Sequence, residues 1–98
     1  MPITFSTLAR ESLLEILDYY EIEVTEEFAD AIEKRITKQI FDLDGFEMSI
    51  PESQILPGTR KLVISKLPYV AFIRQVGTKQ WEVVDIIHTS RKIPKSEK

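Results

Sequence analysis

The stretch Arg60–His88, RKLVISKLPYVAFIRQVGTKQWEVVDIIH, decides how the rest of the chain is read. It holds three runs rich in Val, Ile, Phe, Tyr and Trp: RKLVIS (60–65), YVAFIRQV (69–76) and WEVVDIIH (81–88). Such residues fit a pleated, half-buried surface, so each run reads as a β-strand. Gly77 and its neighbours suit a tight hairpin turn between the last two. The Lys66–Pro68 link is also short, which predicts an antiparallel meander of three strands over about 59–89.

Upstream of the meander the period changes. Asp44–Gly58 is punctuated by Gly45, Pro51, Pro57 and Gly58 and sustains no period, so it reads as a long irregular segment. Before it, Phe28, Ile32, Ile36, Ile40 and Leu43 recur as the apolar stripe of a helix. Thr25 is placed to cap that helix, with Glu26 and Glu27 in the first turn, where the helix dipole favours acids. Ala9, Leu13, Ile16 and Tyr20 form the apolar face of an earlier helix, widened by Leu14 and Leu17, with Ser6 or Thr7 as its cap. Glu21–Val24 breaks the pattern between the two. A link this short predicts an antiparallel helical hairpin over about 7–43. Pro2–Ser6 (PITFS) reads as a first strand joining the sheet elsewhere, and Lys95–Lys98 as a polar tail. The order is β-α-α-β-β-β: an α+β domain over 1–98, with the helical hairpin packed on one face of a small twisted antiparallel sheet.

Composition narrows the function classes. The chain has 98 residues, 43% apolar and 30% charged, enough for one modest core. No run approaches the roughly 18 apolar residues of a membrane span, and no basic region precedes the first apolar residues as in a signal peptide. With no cysteine, disulfides and thiolate chemistry are excluded. A cytoplasmic protein without a membrane partner is expected. Net charge is −3, but residues 1–58 carry −9 and residues 59–98 carry +6. A dipolar chain of this kind should draw an acidic partner to its basic half. The acidic half disfavours nucleic acid, which needs a concentrated basic surface.

Few patterns point to chemistry. Gly45, Gly58 and Gly77 are too scattered for a phosphate loop. One histidine without cysteine makes no metal site, and no cofactor is expected. His88, Asp85 and a serine would compose a triad on paper, but no nucleophile-elbow pattern accompanies them. Trp81 and the pair Tyr19–Tyr20 read as packing residues. What remains is a set on strands or strand ends: Arg60, Lys61, Tyr69, Arg74, His88, Arg91 and Lys92. If these share the uncovered face of the sheet, they would form a shallow basic surface for a phosphodiester or an acidic peptide. Otherwise they are solvated residues that blunt sheet edges.

The C-terminal half also carries a family pattern. Pro57-Gly58-Thr59-Arg60 leads into a strand, and Pro68-Tyr69-Val70 opens the next. Arg74 stands late in that strand, and His88-x-x-Arg91 with Pro94 ends the chain. In order and spacing this resembles the RelE/ParE superfamily, the toxins of bacterial type II toxin–antitoxin modules associated with plasmid stabilisation. Phe5-Ser6 with Ala9, Leu13 and Ile16 is similar to the family's opening strand and first helix, with Phe where Trp is common. The resemblance implies the fold already read from periodicity, and it implies a cognate antitoxin as partner. RelE-like members cut messenger RNA on the ribosome; ParE-like members inhibit DNA gyrase and stall replication. Tyr69 stands where RelE-like enzymes tend to place a catalytic arginine, and no aromatic residue follows Trp81. The resemblance therefore sides with a ParE-like toxin that acts by binding rather than as an enzyme. In the RelE-like alternative, an endoribonuclease, Arg60, His88 and Arg91 would be the catalytic candidates. A non-toxic interaction domain of the same fold is the third reading. An antitoxin would bring a segment that orders on binding, with acids for the basic half and apolar anchors for sheet and hairpin.

Overall fold

A computed structural model describes residues 3–90. Pro2, Arg91, Lys92 and the expected tail at 95–98 lie outside the described residues. The elements run β1 (Ile3–Phe5), α1 (Thr7–Glu23), α2 (Glu26–Phe41), a single 3-10 turn at Glu47–Ser49, β2 (Arg60–Val63), β3 (Tyr69–Gly77) and β4 (Gln80–His88). The sheet order is β1-β4-β3-β2. β2, β3 and β4 form the antiparallel meander. The first strand finds its place on the far edge, parallel to β4, with Ile3 opposite Trp81 and Phe5 opposite Val83. The result is the α+β arrangement expected, in a sheet that is mostly rather than wholly antiparallel.

Both helix starts follow from their caps. Ser6 is extended, and its Oγ accepts from the Ala9 N–H at 3.0 Å. The same hydroxyl donates to the Val84 carbonyl at 2.8 Å, while the Ser6 N–H donates to Val83 O at 2.9 Å. One serine thus ends β1, starts α1 and fastens the junction to β4. Thr25 caps α2 through the Phe28 N–H at 3.0 Å. Glu26 and Glu27 fill the first turn of α2, and Lys38 sits in its last, bonded to Asp42 at 2.8 Å, an arrangement the dipole favours at both ends. Helix α1 runs through Glu21–Glu23, where the sequence predicts a break. Its hydrogen-bond ladder continues after its apolar face has run out, with the Val24 N–H reaching the Tyr20 carbonyl at 2.8 Å.

The core lies between hairpin and sheet. Ala9 and Leu13 of α1 and Ile32, Ile36 and Ile40 of α2 pack with Ile3, Ile64, Ala71, Ile73, Trp81, Val83 and Ile86. Leu14 does not join them; it faces solvent. β3 is buried on its other face too. Val70 and Phe72 cluster there with Ile87, with Leu56 and Val84 packed against them. Burial on both faces explains why the first five residues of β3 are all buried instead of alternating. The irregular segment also guards the β2 edge. Glu52 bridges to Arg60, the Ser53 N–H bonds Thr59 O at 2.8 Å, and the Lys61 N–H bonds Pro51 O at 2.9 Å. At the β3–β4 turn the left-handed residue is Lys79 (φ 57°), and Gly77 pairs with Gln80 as the last rung.

One buried polar pair ties helix to sheet. Pairing shifts between Phe72 and Ile73, which face Asp85 and Val83, so Val84 is the extra residue of a bulge. Asp85, beside it, is fully buried. Its Oδ1 accepts from Ser12 Oγ at 2.6 Å and from the Ile86 N–H at 2.8 Å, while Oδ2 has no hydrogen-bond partner. Ser12 lies on the buried face of α1, next to Leu13. Ser12→Ala removes one of two donors from a buried carboxyl group. It should lower stability by about 1–3 kcal/mol, seen as a lower urea midpoint at an unchanged slope.

Candidate functional site

The structure disperses the basic set. Arg60 opens β2 opposite Ile73, near the far end of β3 from Tyr69 and His88. Its Nη1 donates to Ile50 O at 2.7 Å and to Met48 O at 3.5 Å, and Nη2 stands 3.8 Å from Glu52. With its side chain 17% exposed, this guanidinium holds the irregular segment against the sheet. Arg74 forks onto Glu82 Oε1 across the hairpin, Nε at 3.1 Å and Nη2 at 2.9 Å. Lys61 sits on the second face of the sheet, lining a shallow recess with Val63, Val70, Phe72 and Ile87. Tyr69 and His88 face the other way, toward α1. Arg91 and Lys92 lie outside the described residues. The expected common surface therefore does not assemble from the described members. Only Tyr69 and His88 come together.

These two meet because β3 and β4 pair them directly. Their rings stand edge to face, with centroids 5.5 Å apart. The Tyr69 hydroxyl bonds that of Tyr20 on α1 at 3.2 Å. Burial, this hydrogen bond and the neighbouring Tyr20 and Tyr19 phenols all hold the Tyr69 hydroxyl well above the ordinary tyrosine range. Nδ1 of His88 lies 3.1 Å from the Ser90 N–H and 2.8 Å from Ser90 Oγ. A backbone N–H only donates, so the neutral ring carries its proton on Nε2. Beside them is a recess of ≈ 220 Å³ lined by Ser12, Glu15, Ile16, Tyr19, Tyr69, Ile86, Ile87 and His88. Asp85 turns to Ser12 and His88 to Ser90, so the triad drawn on paper has no counterpart here.

The pair Ser12–Asp85 escaped the sequence reading, although a signal was present. Asp85 interrupts an otherwise apolar run, VVDII, and Ser12 interrupts the apolar face of α1. Two polar residues on facing buried surfaces must satisfy each other. A second feature shows only in three dimensions: an apolar groove beside the β1 edge, lined by Ile3, Phe5, Leu13 and Phe41 with Arg10 and Thr37. Among the described residues, no helix is long and apolar enough to cross a membrane, and no group of three or more His, Asp or Glu could hold a metal ion.

Comparison with known proteins adds a family and a fold. Residues 3–93 match the family model described as "ParE toxin of type II toxin-antitoxin system, parDE". A solved structure, "Chromosomal ParDE TA system from P. aeruginosa", superimposes with a TM-score of 0.79 at 24% identity, covering 90% of this chain and 95% of that one. At that identity the likeness is one of fold. No curated protein matches.

Two outcomes follow from the geometry. Arg60→Ala should cost about 1.5–3 kcal/mol, the range for hydrogen bonds from a charged group, whereas Arg74→Ala, whose ion pair is largely exposed, should change stability by about 1 kcal/mol or less. Urea denaturation of both variants checks this. For Tyr69 the folded hydroxyl is raised above its unfolded value, so its contribution to stability is complete below about pH 10 and is lost as pH rises beyond that. Ultraviolet titration of the phenolate should show one tyrosine ionising only with alkaline unfolding. That late step should vanish in Tyr69→Phe.

Proposed function

This chain belongs to the ParE toxin family of type II toxin–antitoxin systems, and from that premise we propose that it acts by binding, inhibiting DNA gyrase, and that a cognate antitoxin neutralises it. The observation that carries this reading is the separation of Arg60 from His88. Register puts them four positions apart along β3, roughly 13 Å at 3.3 Å per residue, and β3 lies between their strands, two strand spacings across. Cleavage of a phosphodiester needs an acid or base and a cation within hydrogen-bond reach of one phosphate. Among the described residues Arg60 is engaged with backbone carbonyls, Arg74 with Glu82, and the Tyr69 hydroxyl with Tyr20. A surface so arranged suits docking.

The antitoxin has a natural place. β1 is the terminal strand on one side, whereas the β2 edge is covered by the segment around Glu52. Beside β1 runs the groove of Ile3, Phe5, Leu13 and Phe41. An extended segment would bond the strand edge and set apolar side chains into that groove. At that edge Arg10, which lines the groove, and Lys79, two residues before the β1 partner Trp81, are placed to meet its acids, whereas Lys61 and Lys66 belong to the β2 side of the sheet.

Purified protein added to a gyrase supercoiling assay should inhibit supercoiling, and added to programmed ribosomes it should leave the message whole. His88→Ala should keep gyrase inhibition within a few fold. A ribonuclease using His88 as acid or base would lose roughly 10²–10⁴-fold in rate. Cleaved message with unaffected supercoiling would overturn the proposal.

A further inference from the structure

The outward face of α1 has a composition that the fold does not need. Glu11, Leu14, Glu15, Asp18, Tyr19 and Ile22 are all exposed. They recur at intervals of three, one, three, one and three residues, which places them in a single stripe on the side away from the core. Leu14 is 59% exposed, Tyr19 58% and Ile22 81%. Single exposed apolar residues are ordinary; three that share the outward side of α1 among its acids, with Val24 and Phe28 exposed soon after in the chain, mark a contact surface. Tyr19 meets Tyr20 edge to face and Tyr20 meets Phe28 at a tilt, with centroids 5.2 and 5.5 Å apart, and the three give this end of the hairpin an aromatic floor. Tyr19 also lines the recess beside Tyr69 and His88, so the stripe leads into a concave site large enough for one apolar side chain.

From Glu11 to Glu33 the sequence carries charge of one sign. No Lys or Arg occurs between Arg10 and Lys34, while that interval holds nine acids. The stripe spans ~17 Å of helix, about three turns, which matches a helix laid alongside it. We propose that the outward face of α1 and the adjoining recess dock a helix of a partner protein, one whose apolar anchors at i, i+3, i+4 and i+7 are flanked by lysines and arginines. Like charges exclude an acidic segment and a nucleic acid from the same place. A second copy of this chain fits poorly. Its basic surface on α2, formed by Lys34, Arg35 and Lys38 with Ala31, Gln39 and Asp42, offers no row of apolar anchors. The inference does not rest on gyrase being the target, and it concerns a different surface from the groove beside β1.

The test uses the full chain and a synthetic helical peptide with leucines at i, i+3, i+4 and i+7 and lysines on both flanks. A peptide of the same composition with the order scrambled serves as control. Nuclear magnetic resonance titration should show saturable binding with shifts centred on residues 11–22. Affinity should fall about tenfold or more, ~1.4 kcal/mol per tenfold, in Leu14→Ser/Ile22→Ser, and similarly in Glu11→Lys/Asp18→Lys. All four positions are exposed, and thermal melting of the variants verifies the fold. Equal binding of the scrambled peptide, or unchanged affinity in Leu14→Ser/Ile22→Ser, would overturn the proposal. So would self-association in sedimentation that the same double substitution abolishes, since the face would then join copies of this chain.

Discussion

β3 and β4 exchange backbone hydrogen bonds from Tyr69–His88 to Gly77–Gln80, and every other element is held by a face or an edge of that pair. The helical hairpin covers one face, the Leu56 region packs on the other, β2 takes one edge and β1 the opposite one. A hairpin alone is marginal in water. Burial of Ala71, Ile73, Val83 and Ile86 on one side and of Val70, Phe72 and Ile87 on the other makes this one a scaffold. The bulge at Val84 gives the pair its irregularity, and next to it stands Asp85, whose buried carboxyl group reaches α1.

The same pairing explains how much could be read beforehand. Ile32, Ile36 and Ile40 announce a helix by period, and Thr25 with Glu26 and Glu27 announces its start, because caps and stripes are local physics. The three strand runs are equally local. The partner of β1 is not. Three residues carry no pattern that distinguishes β4 from β2, and the choice is made by the Ser6 bonds to Val83 and Val84. Residues expected in a site were harder still. An arginine in a sequence shows its charge but not its partner. Arg74 and Glu82 face each other only because the hairpin register aligns them, and Arg60 is turned inward by carbonyls at Met48 and Ile50 that belong to a segment without period.

Charge tells a related story. The chain divides into an acidic and a basic half, but among the described residues the basic half is partly neutralised by its own contacts. The acidic half is compensated in part as well, through Lys38–Asp42 and Glu52–Arg60, yet thirteen acids stand there against four bases. Its carboxylates crowd the hairpin, where the only exposed row of apolar side chains on α1 also lies.

The parallel pairing of β1 with β4 has a consequence for how the chain is born. Ser6, which anchors β1, bonds to Val84, a separation of 78 positions. The helical hairpin can form as soon as it is synthesised, since its contacts are local. The sheet cannot close until β4 exists, so β1 waits for its neighbour until Val84 has been made, 78 positions after Ser6. Closing so long a loop adds an entropic barrier that local contacts do not offset in advance. While it waits, the strand and the apolar face of α1 stay uncovered. Any segment that meets the chain at this stage meets an unfinished surface, and not the one the closed sheet presents.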